Sequence, residues 1–135
     1  MRFSPSAVEE ISLLSMSNED RFSFAINRMI ECEEVWSIGN DEGWYVEDNE
    51  GKQAIYVWPY YKQANEYLLD KHPDHIPAST SLEHFLHRII KQCDIDDIDI
   101  VVGATLQYPG FFIHANKLYE ILEGLMESGS YFLES

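Results

Sequence analysis

Histidines are the residues of this chain whose type and spacing could hold a metal ion. His84 and His87 stand three residues apart, so on a helix they would share a face, and His72 and His75 precede that helix. Imidazole nitrogens at this spacing suit zinc or nickel. The same predicted helix face also carries Arg88, which is typical of a solvated surface. The four histidines are therefore weak metal candidates, and no metal or other cofactor is predicted.

The chain contains none of the short motifs that build a catalytic site. It has no Gly-x-Ser-x-Gly elbow, no His-Glu-x-x-His pair and no glycine-rich phosphate loop with its lysine. Cys32 and Cys93 have no second cysteine or histidine at metal-ligand spacing, and both fall on the apolar faces of predicted helices. We interpret them as buried free thiols. No catalytic residue is predicted, and the sequence favours a binding protein over an enzyme.

Aromatic side chains are concentrated in one stretch of 26 residues, namely Trp36, Trp44, Tyr45, Tyr56, Trp58, Tyr60 and Tyr61. Aromatic residues on strands most often form cores and cross-strand pairs, and most of these are assigned to the core. If one face of the sheet is uncovered, the aromatic residues on it would suit a protein-binding surface, because such residues recur at interaction hot spots. The residues predicted to bind on that condition are Tyr45, Tyr56, Trp58 and Tyr60.

The charge of the chain narrows the class of partner. Twenty-four acids against nine bases give a formal net charge of −15, and the segment from Glu31 to Glu50 holds eight acids and no base. Such a charge repels phosphate backbones, so the expected partner is a basic protein and not a nucleic acid. The sequence shows no apolar run long enough for a signal peptide or a membrane helix, which predicts a soluble, cytoplasmic protein.

The aromatic stretch is predicted to fold as a three-stranded antiparallel meander. Each of its three tryptophans falls in a separate run of β-branched and aromatic residues. The two short turns between these runs end at Gly43 and Gly51, where positive φ angles are often required. Alternation places Ile55 and Val57 on one face of the third strand and its aromatic residues on the other.

Segments with helical periodicity lie on both sides of the meander in the sequence. Three helices have recognisable starts: the capping-box spacing from Ser6 to Glu9, Ser17 or Asn18, and the capping box from Thr80 to Glu83. Apolar spacing predicts a short first helix over residues 6–14 and further helices over 18–30, 60–71, 82–93 and 115–125. Extended segments are predicted over 75–79, 98–105 and 111–113.

A series of short motifs occurs in an order that resembles a known family. The motifs are Arg21 in a helix, Val35-Trp36, Gly43-Trp44, Val57-Trp58-Pro59 with Ala64 five residues on, and Ser81-Leu82 before Phe85 and Leu86. Over residues 18–125 the chain resembles the small bacterial domain-of-unknown-function family DUF2750, and it departs from that pattern at 94–99 and 107–110. The resemblance supports the predicted fold and implies no activity, because none is established for the family.

Together these features predict a single α+β domain over residues 1–135. Its mostly antiparallel sheet of about five strands, the Trp-rich meander plus two later strands, packs with four to five helices. Residues 1–16 are expected to form a helical extension and residues 129–135 a frayed tail. The predicted function is that of a non-enzymatic acidic module that binds a basic protein, as immunity proteins do. The alternative is a small metal-binding protein or enzyme that uses the histidines around residues 72–87.

Overall fold

The computed structural model describes residues 17–40, 43–49, 51–71, 74–105 and 108–128, and these residues form an α+β fold. The predicted helix over 6–14 and the tail over 129–135 lie outside the described residues. The helices are α1 (Asn18–Cys32), α2 (Tyr61–Lys71), α3 and α4 (Ala115–Ser128). Helix α3 is continuous but changes along its length, from α-helical Leu82–His84 through a π-helical turn, Phe85–Ile89, to α-helical Ile90–Asp96.

Seven strands connect these helices in the described part of the chain. They are β1 (Glu34–Asn40), β2 (Gly43–Trp44), β3 (Glu47–Asn49), β4 (Lys52–Val57), β5 (Ile76–Ser81), β6 (Asp99–Val102) and β7 (Phe111–Ile113). One sheet has the order β2-β1-β5 and the other β3-β4-β6-β7. All pairs are antiparallel except β4 with β6, which are parallel. The sheets are thus mostly antiparallel, as predicted.

The two sheets meet at a short seam. Trp36 of β1 and Trp58, which directly follows β4, exchange two backbone hydrogen bonds of 2.8 Å each. Beside them the hydroxyl of Ser37, which is fully buried, donates to the carbonyl of Tyr56 at 2.6 Å. The prediction of one continuous meander differs from the structure because the middle strand is split. Its first part, β2, pairs with β1, and its second part, β3, pairs with β4.

Side chains that alternate along the strands fill two cores. On one face Val35, Ile55 and Val57 pack with the apolar stripes of α1, α3 and α4. On the other face Trp36 and Trp58 pack with Ala64, Tyr67 and Leu68 of α2. The predicted alternation on the third strand is confirmed. At the seam, however, both faces are covered, because α2 follows β4 directly and folds back over the tryptophans.

Local signals place the helix starts and the turns. Helix α1 begins as predicted, with the Ser17 hydroxyl accepting a hydrogen bond from the Asp20 amide at 3.1 Å. Helix α3 is capped by Ser81 and not by Thr80, since the Ser81 hydroxyl accepts a hydrogen bond from the His84 amide at 3.1 Å. The predicted positive φ angles are confirmed at Gly43 (131°) and Gly51 (86°). None of the helices in the described ranges is long and apolar enough to cross a membrane.

Strand β5 forms an edge of its sheet. The backbone N–H and C=O of Trp36 form hydrogen bonds with Trp58. The backbone groups of its neighbours Val35 and Ser37 therefore point the other way, toward β5. Their partners there are Thr80 and Ala78, which leaves the nitrogen of Pro77 on the outer side of the strand. A proline nitrogen cannot donate a hydrogen bond, and proline is a common protection of exposed strand edges.

The seam yields a prediction about two tryptophans. The indole of Trp58 is fully buried and donates to the carbonyl of Ala104 at 2.6 Å, whereas that of Trp36 donates to the Glu34 carboxylate at 2.8 Å. Replacing Trp58 by Phe leaves the Ala104 carbonyl without this hydrogen bond. Replacing Trp36 by Phe leaves the Glu34 carboxylate without its indole donor, but this carboxylate can turn to water. We expect Trp58→Phe to lower the free energy of unfolding by about 1–3 kcal/mol more than Trp36→Phe, as measured in urea.

Both variants lose the same part of an indole ring. The difference between their unfolding free energies therefore reports whether the acceptor that loses its hydrogen bond can reach water. Equal losses in the two variants would contradict this account of the seam.

Candidate functional site

The four aromatic residues predicted to bind lie in the second core or beside it. Tyr56, Trp58 and Tyr60 are buried, at 6%, 0% and 3% exposure. The ring of Trp58 packs against that of Tyr67 in α2, with 5.3 Å between the centroids. Tyr45 is partly exposed. Of the four, Tyr45 is therefore the one with an exposed surface, whereas Tyr56 and Trp58 join the sheet to α2 and Tyr60 lies near the ring of Phe24 in α1.

Three tyrosines and a carboxylate form a cluster at the edge of this core. The Tyr56 hydroxyl donates to Glu47 Oε1 at 2.7 Å, and its ring stacks on that of Tyr67 with 5.4 Å between the centroids. Burial, followed by the hydrogen bond to Glu47, raises the pKa of Tyr56 far above its ordinary value. Burial also raises the pKa values of Tyr45 and Tyr67. All three phenols remain protonated at neutral pH, so they can donate hydrogen bonds but cannot serve as bases.

The histidines that were weak metal candidates are separated in the structure. The ring of His75 packs edge-on against Tyr45, at 4.8 Å between centroids, and lies 3.7 Å from an oxygen of Asp74. His84 and His87 line different grooves on two sides of α3. His72 is outside the described residues. Across the described ranges, no three His, Cys, Asp or Glu side chains come together as a metal site would require.

The π-helical turn explains why His84 and His87 do not share a face. A π turn closes hydrogen bonds between residues five apart and so contains more residues than an α turn. Residues three apart, which are neighbours on an α-helix, are therefore rotated away from each other. The expectation of a common face assumed regular α-helical geometry, which Phe85–Ile89 does not have.

The larger of these two grooves lies between helix α3 and strand β2, and we call it the α3–β2 groove. It has a volume of about 510 Å³, which is in the usual range for small-molecule sites. Apolar side chains form most of its surface: Trp44, Val46, Ile55, Ile89, Cys93 and Ile98. Four polar residues of α3, spaced by four, also line it: His84, Arg88, Gln92 and Asp96. The arrangement combines an apolar surface with a row of polar groups.

A second groove, called the acidic groove, lies on the other side of α3. Its volume is about 450 Å³, and it is lined by Glu33, Ser81, Leu82, Glu83, Leu86, His87 and Met126. Leu82 and Leu86 are buried and form an apolar floor, while Met126 is 41% exposed. Both glutamates are exposed. This groove offers carboxylates above an apolar floor, which suits a cationic side chain with an apolar neighbour.

Most of the residues that line these grooves are not among the candidates that the sequence predicts. Trp44 belongs to the aromatic stretch of the sequence but is not one of the four residues predicted to bind. Arg88 was interpreted as part of a solvated face, although its spacing of four from His84 was a usable signal. Nothing in the sequence singled out Glu33 or Glu83, because their proximity depends on how α1 and α3 meet.

Cys93 lines the α3–β2 groove but is a poor nucleophile. The thiol is buried, and this burial, helped by the nearby Asp96 carboxylate, raises its pKa from 9.0 to about 11. At neutral pH almost none of it is the reactive thiolate. The prediction that Cys93 is a buried free thiol is confirmed. Cys32 also forms no disulfide, but it is only partly buried, so the prediction of a buried thiol is wrong for this residue.

The raised pKa of Cys93 predicts a loss of stability in alkali. Between the unfolded pKa of 9.0 and the folded pKa of about 11, the unfolded chain releases the thiol proton and the folded chain keeps it. The thiol of Cys93 therefore contributes its full share to the free energy of unfolding below pH 9. This contribution falls as the pH rises, by about 1.4 kcal/mol at pH 10. We expect the fall in unfolding free energy between pH 8 and pH 10 to be smaller by about this amount in Cys93→Ala.

Cys32→Ala is the matched control for chemical denaturation at both pH values, because it removes the thiol that is partly exposed. An identical pH dependence in Cys93→Ala and in the wild type would contradict the raised pKa.

Comparison with known proteins places the chain in a family. The chain has no match among curated proteins. The sequence model of the family described as "Protein of unknown function (DUF2750)" matches residues 22–122, a range that includes the strands of both sheets and most of the helical segments described above. This match confirms the resemblance found in the sequence and covers well over half of the chain. The protein therefore belongs to the DUF2750 family.

Proposed function

We propose that this protein is a non-enzymatic cytoplasmic module that binds a basic protein partner, in the manner of immunity proteins, and that the acidic groove is its contact site. The observation that carries the proposal is a pair of exposed carboxylates, Glu33 and Glu83, above the apolar floor of this groove. A basic side chain of the partner would pair with them, and an apolar neighbour would cover Leu86 and Met126.

Among the described residues, no base pairs with the carboxylates of the acidic groove. Neither Glu33 nor Glu83 forms an ion pair within the described residues, whereas Arg28 pairs with Glu31 at 2.6 Å and Lys117 with Glu120 at 4.0 Å. With 24 acids and nine bases, most carboxylates have no base to pair with. The resulting field attracts positively charged partners and speeds their association.

Helix ends add to the negative potential of this groove. Glu33 caps the C-terminus of α1, and Met126 lies in the last turn of α4. Neither helix has a basic residue in its last turn, so the negative ends of both helix dipoles are left without a counter-charge there. The N-terminus of α3 also reaches the groove, but Glu83 in its first turn offsets the positive end of its dipole.

Glu33 occupies a backbone conformation that would suit glycine better. Its φ angle is 55°, in the left-handed region, at the C-cap position where helices most often carry glycine. A non-glycine residue with this φ costs roughly 1 kcal/mol. Backbone strain of this kind recurs at functional sites, and here it places a carboxylate at the rim of the acidic groove. This supports a binding role for Glu33.

The alternative, a metal-binding protein or enzyme built on His72, His75, His84 and His87, has no comparable support. His84 and His87 line separate grooves, and His75 packs on Tyr45. Two described groups near them, the Tyr45 phenol and the Cys93 thiol, both have raised pKa values and are therefore poor nucleophiles at neutral pH.

The proposal predicts charge-dependent capture that maps to one groove. Wild-type protein, Glu33→Gln/Glu83→Gln and Glu66→Gln/Asp94→Asn would be immobilised and exposed to lysate of the native host at about 50 mM and 500 mM salt. Both double variants remove two exposed negative charges, but Glu66 and Asp94 lie outside the acidic groove. We expect basic proteins to be retained at low salt by the wild type and the Glu66/Asp94 variant, and to be lost from the Glu33/Glu83 variant.

The captured protein would then be purified and its Kd measured by calorimetry against the same three proteins. We expect a loss of about tenfold or more for the Glu33/Glu83 variant, since charge-assisted contacts contribute about 1.5–3 kcal/mol. Equal affinity of the two double variants, or capture of acidic proteins alone, would overturn the assignment of this groove.

The strained backbone at Glu33 predicts that one substitution there changes stability and partner affinity in opposite directions. Replacing Glu33 by Gly relieves the left-handed strain while removing a carboxylate, so we expect the free energy of unfolding to rise by about 0.5–1 kcal/mol and partner affinity to fall. Asp97 provides a control because it caps α3 with a φ of 57° and lies outside the acidic groove. Asp97→Gly should leave partner affinity unchanged. A Glu33→Gly variant that binds as well as the wild type would count against the role of this carboxylate.

A further inference from the structure

We propose that the α3–β2 groove is a binding site for a small monocarboxylate with an extended apolar body, and that Arg88 holds its carboxylate. This site lies on the opposite side of α3 from the acidic groove and requires a ligand of opposite charge. It therefore goes beyond the proposed binding of a basic protein.

Arg88 is the group that indicates an anionic ligand. It is exposed in the groove and makes no ion pair or hydrogen bond with its side chain in the described part of the chain. In a protein where acids outnumber bases by 24 to nine, a guanidinium without a carboxylate partner is unexpected. Arginine matches the planar geometry of a carboxylate with two parallel hydrogen bonds. His84, one turn earlier and lining the same groove, can add a donor.

The π-helical turn aligns the polar row along the groove. On a regular α-helix, residues four apart overshoot one turn of 3.6 residues, so a row at this spacing drifts around the helix. The wider turn at Phe85–Ile89 offsets that drift between His84 and Arg88, which keeps both in the groove with Gln92 and Asp96. Single π turns inside α-helices are rare and occur frequently at functional sites.

The rest of the groove suits an apolar body. Ile55, Ile89 and Ile98 line it, and Trp44, which is partly exposed, forms one wall. An apolar surface with a few well-placed polar groups is the usual composition of a small-molecule site. A free inorganic anion would leave these side chains exposed to water, so the ligand must supply apolar surface of its own.

Asp96 limits the ligand to a single negative charge. It lies eight residues after Arg88, or roughly 12 Å along the helix at 1.5 Å per residue. Gln92 Nε2 donates to Asp96 Oδ2 at 2.9 Å, which holds this carboxylate in the polar row and away from Arg88. A ligand with a carboxylate at each end would bring its second charge to Asp96, where like charges repel.

Titration calorimetry with four probes tests this assignment on the full chain: decanoate, decanedioate, decanol and acetate. Decanoate supplies one charge and an apolar chain about as long as the distance from Arg88 to Asp96, decanedioate adds the second charge, decanol lacks the charge and acetate lacks the chain. We expect decanoate to bind with the highest affinity and decanedioate about fivefold more weakly. Decanol and acetate should bind at least tenfold more weakly than decanoate.

Variants locate the binding. Arg88→Gln should weaken decanoate binding about tenfold, and Asp96→Asn should bring decanedioate close to the affinity of decanoate. Lys71→Gln is the control for Arg88→Gln, because Lys71 is another exposed base, lies in α2 outside the groove and shares the same formal charge. It should change decanoate affinity less than twofold. Circular dichroism would confirm that each variant is folded.

Three results would overturn the proposal. The first is no heat of binding for decanoate at 5 mM. The second is an equal loss of decanoate affinity in Lys71→Gln and Arg88→Gln, which would indicate general charge attraction. The third is equal affinity for decanoate and decanedioate in the wild type. None of these measurements depends on Glu33 or Glu83, so this proposal and the proposed function can fail independently.

Discussion

The exchange of backbone hydrogen bonds between Trp36 and Trp58 is the interaction on which the rest of the structure depends. It is a single bridge, but it joins a three-stranded and a four-stranded sheet and directs two large indoles into the core beneath α2. The Ser37 hydroxyl and the Trp58 indole, both fully buried, donate to two carbonyls beside it, those of Tyr56 and Ala104. Strands β2 and β4 belong to different sheets, and the α3–β2 groove is lined by Trp44 of the first and Ile55 of the second.

Much of this fold could be predicted from local patterns. The stripe from Phe22 to Ile30 was enough to place α1, and the alternation of Ile55 and Val57 with aromatic residues was enough to assign the two faces of β4. These patterns depend on the period of one element at a time. The split of the middle strand into β2 and β3 could not be predicted in this way, since it depends on which neighbour each half pairs with.

The candidate sites were harder to predict for the same reason. Tyr56, Trp58 and Tyr60 are conspicuous in the sequence because they are aromatic, and all three are buried. Tyr56 and Trp58 are buried because α2 returns over the sheet. Arg88 and Glu33 look ordinary in the sequence. Arg88 gains its position from a π turn that has no sequence signature, and Glu33 from the junction of α1 with the start of α3, where the Leu82 amide donates to the Glu33 carbonyl at 3.0 Å. Both are properties of tertiary structure.

The position of Pro77 in strand β5 has a consequence for recognition. Another chain can add a strand to an open strand edge through main-chain hydrogen bonds. Such binding depends little on the sequence of the added strand. With a proline nitrogen on its outer side, β5 interrupts such a ladder. Association at this edge must then use side chains, which discriminate among partners by chemical identity. The protein can thus carry an edge strand without offering it as a template for aggregation.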